Sequence, residues 1–423
     1  MVKASVYVLL SVIAVCYASF TGKNYSLVLV GGGLDENNYE IWNTIIGLGG
    51  GVGKARFGVI SAASENPCCN EDSSWVYYQE LLTKYGAAEV YYIPVTVDTK
   101  GNNTDPGVIA HIKTLSGFFF GGGDQSRIIY SFYNNNEKQP SDALMAIKET
   151  LLETGGVVAG TSAGTDVQTS HTMITGGVSY TGILNGTTTF WYTAELPNPN
   201  KLSGYGPGGI GLFPYGLIDT HFANRGRQGR LVSLVVDTIS HPVGEMVAYG
   251  VDENTALVVT GPWTRRVGKV IGERGVFVVD VSHSSVTKSN LRDLRRVRTS
   301  RMSSGDSIAL SSLEISFADY KTPMTSRESP EPPLISQDIF SEYTYEYDST
   351  VLSLLSSTAD FTQGFTKETS PKFVVTLRKN YDSGSSKSGG GCGSVGYDGI
   401  DPTTGLYAFG YECVWLDIAP AGH

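Results

Sequence analysis

Charged residues are scarce in this sequence, and no long stretch of it carries charge of a single sign. Aspartate, glutamate, lysine and arginine make up 17% of the 423 residues, and the formal net charge is −10. Proteins that bind nucleic acid depend on a field of basic side chains. The lack of such a field argues against a nucleic-acid partner.

Cysteine is also rare, and none of the five cysteines has the spacing of a zinc site. We therefore expect no metal. Four cysteines lie beyond the first twenty residues: Cys68, Cys69, Cys392 and Cys413. An even number is compatible with two disulfides in an oxidising compartment. Cys392 with Cys413 is the easier pair to form. The adjacent Cys68 and Cys69 would need a strained ring, so each could instead pair elsewhere.

The first apolar run is shorter than the roughly 20 residues that a membrane-spanning helix needs. A basic start at Met1–Lys3 precedes an apolar run over residues 6–17, and Ala18 and Ser19 are small residues suited to cleavage. This pattern predicts a secretory signal peptide over residues 1–19, with a membrane anchor as the alternative. We expect a secreted, extracellular protein that has no membrane contact after cleavage. The acceptor patterns for N-glycosylation agree with secretion: Asn24, Asn102 and Asn185.

Phosphate-binding signatures are missing from the glycine-rich turns at Gly31–Gly33, Gly121–Gly123 and Gly160–Gly164. None of these turns carries a Walker lysine, and the first lacks the Gly-x-Gly-x-x-Gly spacing with its distal acid. Nucleotide binding is therefore excluded, and we expect no cofactor. The remaining interpretation is that each turn ends a strand tightly.

Apolar strands alternate with helical patterns from about residue 25 onward. The predicted strands are Ser26–Val30, Arg56–Ile60, Glu89–Val95, Gly117–Phe120 and 155–159, and the predicted helices are Trp75–Tyr85, Val108–Leu115 and Asp142–Thr154. Continuously apolar strands that alternate with helices predict an α/β fold with a mostly parallel sheet, covered on both faces. In such sheets the active site lies beyond the carboxyl ends of the strands.

Ser162 lies in such a position, within the sequence Gly160-Thr161-Ser162-Ala163-Gly164. A buried strand that runs into Gly-x-Ser-x-Gly and then into a helix is typical of a nucleophile elbow. The glycines remove side chains that would clash in the sharp turn. A serine hydroxyl also needs a base, an orienting acid and an oxyanion hole.

His221 is the best candidate for the base, because it follows the apolar strand end at Leu217 and Ile218 and is flanked by Asp219. Arg225, Arg227 and Arg230 follow near the start of a predicted helix, where cations oppose the helix dipole. These arginines either face an anionic ligand or form an ion-pair network with Asp219 and nearby acids. Residue type alone leaves both interpretations open.

The acid and the oxyanion hole are less clearly marked. Asp252 and Glu253 both lie at a strand junction, and the residues themselves do not decide between them. One oxyanion donor would be the N–H of Ala163, and another would come from Gly122 or Gly123. The neighbouring Gln125 could hydrogen-bond a substrate.

The second half of the sequence changes in character. Residues 246–281 contain further strands, and Arg292–Arg301 is strongly basic, which predicts a solvated face or loop, or else a partner-binding patch. Four prolines within 322–334 indicate a linker, and the Gly/Ser-rich Ser383–Gly393 is expected to be flexible.

Four segments together resemble the cyanophycinases, serine peptidases related to aspartyl dipeptidase. They are Phe119–Gln125, Gly160–Gly164, Asp219–Arg230 and Val251–Leu257, in the same order and with matching spacing across roughly residues 25–320. The Asp-x-His-Phe-x-x-Arg-Gly-Arg-x-Gly-Arg stretch is highly specific, whereas the serine elbow alone is not.

The resemblance implies a three-layer, class I glutamine-amidotransferase-like fold, and a triad of Ser162, His221 and Glu253. It also implies a substrate pocket at Gln125, Asp219, Arg225, Arg227 and Arg230. Enzymes of this family release β-aspartyl-arginine dipeptides from multi-L-arginyl-poly-L-aspartate. They are typically dimers without a metal, so a homodimer is an expectation here.

The sequence departs from the family pattern at Thr220, where glutamine is usual, and in an insertion at about 180–212. We expect a signal peptide (1–19), a peptidase domain (20–320) and a C-terminal extension (321–423), partly packed on the domain and partly flexible. The predicted function is a secreted serine-type exopeptidase that acts on acidic or β-aspartyl peptides. The alternative is a secreted, non-catalytic binding protein that keeps the fold. An amidotransferase or a lipase-like esterase fits less well, because the nucleophile is serine and the order is Ser, His, Glu.

Overall fold

The computed structural model describes residues 22–134, 139–190, 200–205, 208–239, 244–288, 292–380 and 394–422. The predicted signal peptide and the Gly/Ser-rich Ser383–Gly393 lie outside these residues. Within them, no helix is long and apolar enough to cross a membrane.

The α-helices of the described residues are α1 (Tyr39–Leu48), α2 (Ser74–Lys84), α3 (Pro106–Ile112), α4 (Gln125–Phe132), α5 (Asp142–Thr154), α6 (Ala163–Asp166), α7 (Ser179–Asn185), α8 (Gln228–Thr238) and α9 (Glu346–Leu355). The strands are β1 (Ser26–Val30), β2 (Arg56–Ile60), β3 (Glu89–Tyr92), β4 (Gly117–Phe120), β5 (Val157–Thr161), β6 (Met173–Thr175), β7 (Thr188–Phe190), β8 (Ser203–Tyr205), β9 (Leu217–Asp219), β10 (Val247–Val251), β11 (Thr255–Thr260), β12 (Val267–Gly272), β13 (Gly275–Asp280), β14 (Ser285–Lys288), β15 (Arg292–Ser303), β16 (Ser307–Ala309), β17 (Glu314–Ser316), β18 (Thr322–Pro323), β19 (Phe361–Phe365), β20 (Phe373–Arg378), β21 (Val395–Ile400) and β22 (Tyr407–Pro420).

The first sheet has the strand order β17-β16-β12-β11-β1-β5-β4-β2-β3 within the described residues. The pairs among β1, β5, β4, β2 and β3 are parallel, whereas those from β1 through β11, β12 and β16 to β17 are antiparallel. The predicted α/β class is confirmed. The prediction of a mostly parallel sheet is wrong beyond the first five strands, because the four further pairs in this sheet are antiparallel. The class I glutamine-amidotransferase-like arrangement stays a prediction.

Both faces of this sheet are covered, which is why its strands are apolar at successive positions. Leu27 and Leu29 pack in one apolar cluster with residues of α3, α4 and α5. Val28 and Val30, which point the other way from the same strand, pack in another cluster with residues of α1 and α2. The alternation places helices on both sides of β1.

The second sheet runs β18-β21-β22-β15-β13-β10-β9, with β14 paired to β15 and the hairpin β19–β20 joined to β22. In this sheet β9 and β10 are parallel, and β10, β13 and β15 are antiparallel neighbours. Strands on both sides of the predicted domain boundary at residue 320 contribute, because β15 pairs with β22. The boundary itself stays a prediction. Its predicted linker, 322–334, begins with β18 and a 3-10 turn at Met324–Arg327.

The basic segment was predicted to be a solvated face or loop. It is not a loop, and the solvated face holds only for part of it, where Arg296 is exposed. Residues Arg292–Ser303 form strand β15, in which Arg292 and Arg301 are buried. Arg292 pairs with Asp237, and Arg301 pairs with Asp252 at 2.5 Å. Alternation along the strand turns some arginines inward, and acids distant in sequence neutralise them.

The disulfide of Cys68 differs from the expectation that Cys68 and Cys69 would each pair with another cysteine. Cys68 and Cys69 are joined to each other in a disulfide, instead of reaching other cysteines. Cys413 is also disulfide-bonded. The cysteine predicted to be its partner, Cys392, lies outside the described residues. That these cysteines are oxidised in a secretory compartment stays a prediction.

The two sheets meet where the chain passes from β10 to β11. Strand β10 belongs to the second sheet and β11 to the first, so the connection Asp252–Asn254 crosses between them. The turn after β1 contacts this crossing, because Asn254 donates its N–H to the oxygen of Gly32 at 2.9 Å. The carboxyl ends of β1, β5, β9 and β10 therefore lie close together, with the candidate site at their ends.

Candidate active site

Ser162 forms the turn between β5 and α6. Its backbone has φ 55° and ψ −121°, a conformation that costs a non-glycine residue free energy and that is held by the surroundings. Its N–H donates to the oxygen of Val30, and its own oxygen accepts from Thr165. A Cβ on Gly160 would lie 2.2 Å from the oxygen of Gly164, so the elbow closes only with glycine there. The predicted strand-turn-helix geometry is present.

His221 contacts the serine directly. Its Nε2 lies 2.7 Å from Oγ of Ser162, and its backbone, at φ 48°, is held by an N–H bond of 2.6 Å to the oxygen of Gly31. The imidazole packs on the turn after β1, where a Cβ on Gly32 would lie 2.3 Å from its Cε1. The glycine-rich turn thus makes room for the ring.

Glu253 completes a hydrogen-bonded chain of three side chains. Its Oε1 lies 2.6 Å from Nδ1 of His221. The neighbouring Asp252 points elsewhere: its carboxylate accepts from the N–H groups of Ala223 and Gly275 and pairs with Arg301. The choice between the two acids, which the residues alone left open, is therefore made by geometry in favour of Glu253.

The electrostatic surroundings keep His221 neutral over a wider pH range than usual. Burial lowers its pKa, the hydrogen bond to Glu253 raises it, and the charges of Arg225 and Arg227 lower it again. The pKa lies below the ordinary value as a result. A neutral imidazole is the form that can accept a proton from a serine hydroxyl.

The predicted oxyanion donors lie around Ser162. Ala163 is the first residue of α6, so its N–H has no acceptor within the helix. A Cβ on Gly122 would lie 3.5 Å from Cβ of Ser162, which places this glycine beside the serine, but its N–H donates to the hydroxyl of Tyr78 at 3.2 Å. Gly123, at φ 136°, leaves no room for a side chain, since a Cβ would lie 2.2 Å from the oxygen of Ala63. The donor role of each stays a prediction.

Asp219 lies directly under the histidine loop and is fully buried. Arg230 donates to both of its oxygens, at 2.8 Å and 2.5 Å, and Arg227 donates to Oδ1 at 3.2 Å. Arg230 also donates to the oxygens of Gly176 and Gly177. These contacts match the ion-pair alternative for Arg227 and Arg230. Their predicted role in substrate binding is not tested by them.

Arg225 differs from the other two arginines. Within the part of the chain that the structure describes, its guanidinium makes no ion pair. It lines a cavity of about 360 Å³ together with Tyr180, Phe340 and Glu342. The predicted substrate residue Gln125 is buried, and its amide nitrogen donates to the oxygen of Ile174 at 2.6 Å. Arg225 is thus the arginine of this group that borders an open space.

Sequence reasoning missed three supports of this site. Asn224 donates to Oε2 of Glu253 at 2.9 Å, Tyr78 contacts Gly122, and Asp166 accepts from Thr220 at 3.0 Å. Asn224 lies inside the specific Asp219–Arg230 stretch, so its proximity to His221 was a usable signal. Tyr78 and Asp166 carried none, because their contacts depend on the packing of distant segments.

Within the described residues, no group of three or more histidine, cysteine, aspartate or glutamate side chains could hold a metal ion. A serine at an elbow, hydrogen-bonded to a neutral imidazole that a carboxylate orients, is an activated nucleophile.

Comparison with known proteins identifies relatives of this chain. No family model matches it. It is 28% identical over 257 residues to a cyanophycinase of Trichormus variabilis, which covers 60% of this chain and 73% of the relative. It is 26% identical over 268 residues to a cyanophycinase of Synechococcus elongatus, which covers 63% and 71%. The chain is therefore similar in sequence to cyanophycinases over about three fifths of its length.

A solved peptidase from an acI-B1 Actinobacterium is also similar, at 20% identity and a TM-score of 0.44, over 68% of this chain and 97% of that one. The two cyanophycinase alignments each leave more than a third of this chain unmatched. They confirm the resemblance to cyanophycinases that the sequence motifs indicated.

Proposed function

We propose that this protein is a serine-type peptidase that hydrolyses acidic or β-aspartyl peptides. The observation that carries the proposal is the chain of hydrogen bonds from Ser162 to His221, at 2.7 Å, and from His221 to Glu253, at 2.6 Å. The name of the relatives, cyanophycinase, supports a peptide bond as the target. The strained elbow at Ser162 supports a nucleophile that is held ready above the sheet.

In this proposal Oγ of Ser162 attacks the scissile carbonyl while Nε2 of His221 takes its proton. Glu253 accepts from Nδ1, keeps the imidazole in the required tautomer and stabilises the imidazolium that forms. The N–H of Ala163, with one from Gly122 or Gly123, binds the oxyanion. His221 then gives its proton to the leaving amine, and a water molecule hydrolyses the acyl-enzyme by the same steps.

The preference for an acidic substrate rests on Arg225. Since Arg227 and Arg230 contact Asp219, Arg225 is the guanidinium that we assign to a substrate carboxylate, because its charge acts on His221 and it makes no ion pair among the described residues. Arginine suits this role because its fork donates two parallel hydrogen bonds to a carboxylate. Secretion after removal of residues 1–19, and assembly as a homodimer, are part of the same proposal.

The test is the release of β-aspartyl-arginine dipeptides from multi-L-arginyl-poly-L-aspartate by Ser162→Ala. We expect a fall in kcat of about 10⁴-fold or more, as for removal of a nucleophile from a triad. The control is Ser312→Ala, since Ser312 is exposed in the turn between β16 and β17, and its variant should hydrolyse normally. Retained hydrolysis by Ser162→Ala would overturn the role of the serine.

A serine-reactive fluorophosphonate probe separates the peptidase from the non-catalytic binding protein. The folded wild-type chain should be labelled, and Ser162→Ala should not be. If the folded wild-type chain is not labelled, the binding-protein alternative is favoured.

A further inference from the structure

Asn224 connects the C-terminal extension to the acid of the site. It lies in the short 3-10 helix Ala223–Arg225, which directly follows His221 and Phe222. Its side-chain Nδ2 donates to Oε2 of Glu253 at 2.9 Å, and its backbone oxygen accepts from the N–H of Tyr343 at 2.7 Å. The side chain is almost fully buried, at 6% exposure. One residue thus contacts both the acid and a segment over a hundred residues away.

The contact matters because Glu253 has two oxygens and one of them must stay on the imidazole. Oε1 lies on Nδ1 of His221, and Oε2 is held by Asn224. A carboxylate that is held at one oxygen alone can rotate about its last bonds. A second bond restricts the rotation and keeps Oε1 aligned with Nδ1.

The extension packs closely on the histidine loop. A Cβ on Gly226 would lie 2.0 Å from the backbone oxygen of Phe340, so the two backbones touch. A second link runs through helix α9, where Asp348 lies 3.2 Å from the guanidinium of Arg301. Arg301 pairs with Asp252, which in turn accepts from the N–H of Ala223. Two independent contacts therefore hold the short helix that carries Asn224.

We propose that Asn224 is a positioning residue for Glu253, and that the extension holds Asn224 in place through Tyr343. This inference rests on the proposed function, because it assigns Glu253 the task of orienting His221. The extension then supports the reaction through the residues that it contacts, without touching the substrate at this point.

The direct test is Asn224→Ala assayed for the release of β-aspartyl-arginine dipeptides from multi-L-arginyl-poly-L-aspartate. Loss of a hydrogen bond to a charged group should lower kcat by roughly 10- to 100-fold, with KM nearly unchanged. The conservative variant Asn224→Gln keeps an amide donor and should restore part of the loss. The matched control is Asn103→Ala, because Asn103 is equally buried and donates to Ser131 away from the site. That variant should keep its kcat.

The pH profile distinguishes positioning from support of the fold alone. Glu253 raises the pKa of His221 through its hydrogen bond, while burial and the charges of Arg225 and Arg227 lower it. If Glu253 swings away in Asn224→Ala, its contribution is lost, and the acidic limb of kcat/KM should move to lower pH. A limb that stays in place or moves to higher pH would overturn the proposal, whatever the stability of the variant.

The role of the extension is tested at Tyr343, whose φ of 63° is outside the range of proline. Tyr343→Pro removes the N–H that donates to Asn224 and cannot adopt this positive φ. It should therefore lower kcat as much as Asn224→Ala does. Tyr343→Gly keeps the N–H and accepts the positive φ, so it should keep its activity. Since the proposal routes the effect of Tyr343 on activity through the bond between Asn224 and Glu253, the double variant Asn224→Ala/Tyr343→Pro should lose no more kcat than Asn224→Ala alone. Fully additive losses would exclude the link.

The two proposals can fail separately. Activity in Ser162→Ala contradicts the proposed function. If Ser162→Ala is inactive and Asn224→Ala behaves as wild type, the function stands and the positioning role is wrong.

Discussion

Arg230 donates two hydrogen bonds to Asp219 in a pair from which solvent is excluded. The distances are 2.8 Å from Nε and 2.5 Å from Nη2, and the two side chains are 3% and 0% exposed. Burial alone would raise the pKa of Asp219, but the charges of Arg230 and Arg227 outweigh it and hold the pKa below its ordinary value. The carboxylate is therefore ionised beneath the site and depends on its partners.

The first prediction follows from this pair. Arg230→Met removes the partner and leaves a buried negative charge, which should lower the free energy of unfolding by about 3–5 kcal/mol. Urea unfolding followed by circular dichroism measures the change. The control is Arg56→Met, because Arg56 pairs with Glu89 at a partly exposed surface and should cost under about 1 kcal/mol. Equal losses of unfolding free energy in the two variants would show that burial does not make the pair of Arg230 and Asp219 more important for stability than an exposed pair.

A second prediction concerns Asp166, which accepts a hydrogen bond from Thr220. Burial, and then the nearby charge of Asp219, raise the pKa of Asp166 to about 8. The folded state therefore keeps a proton, between about pH 4 and pH 8, that the unfolded state has lost. Stability falls as the pH rises through this range. Asp166→Asn removes this dependence on pH, so its stability relative to wild type should increase as the pH rises from 5 to 7.

The measurement for Asp166→Asn is urea unfolding at several pH values. Asp98→Asn, at an exposed position, is the control and should follow the wild-type curve. Parallel curves for wild type and Asp166→Asn would mean that the carboxyl is already ionised at pH 5 in the folded protein.

A third prediction concerns the acidic limb of the pH–rate profile. The charge of Arg225 lowers the pKa of His221, which must be neutral to accept the serine proton. Arg225→Gln removes that charge, so the pKa of His221 should rise and the acidic limb of kcat/KM should move to higher pH. Arg225→Lys keeps the charge and should leave the limb where it is. A limb that is the same in all three proteins would show that Arg225 has no electrostatic effect on the base.

The fourth prediction compares two glycines that have almost the same positive φ. Gly32 has φ 96° and Gly51 has φ 91°, so alanine at either position should be strained by about 1–2 kcal/mol. A Cβ at Gly32 would lie 2.3 Å from the ring of His221, whereas at Gly51 it meets nothing within 4 Å. Gly32→Ala should therefore lose at least tenfold in kcat, as even small displacements of a catalytic group do.

Gly51→Ala serves as the control, since it should lose stability but keep its activity per folded molecule. Steady-state kinetics at matched concentrations of folded protein make the comparison. If both variants lose activity equally, backbone strain and not contact with His221 is responsible.

Local patterns predicted the parts of the site that depend on neighbouring residues. The Gly-x-Ser-x-Gly turn predicted the elbow at Ser162, because a sharp strand-to-helix turn needs small residues at fixed offsets. The apolar run at 26–30 predicted β1 for the same kind of reason, since a strand buried on both faces is apolar at every position. The family motif added His221 and Glu253 as a pair.

Other outcomes depended on contacts between distant segments. The basic stretch at Arg292–Arg301 suggested a solvated face, yet Arg301 is buried. It pairs there with two acids that are distant in sequence, Asp252 and Asp348. The arginines after His221 were equally open to two interpretations, and the position of Asp219 turned Arg227 and Arg230 toward it. A local sequence pattern cannot identify the ion-pair partner of a buried charge when that partner lies far away in the sequence.

The sequence by itself determined the first strands, the elbow and the order of serine, histidine and acid, because these follow from periodicity, glycine and spacing along the chain. The tertiary structure alone decided that Asp252 turns away to Arg301, that Arg225 borders the cavity, and that Tyr343 contacts Asn224. The physical reason is that these contacts form where two sheets and an extension meet. The packing of whole elements sets the direction of each side chain there.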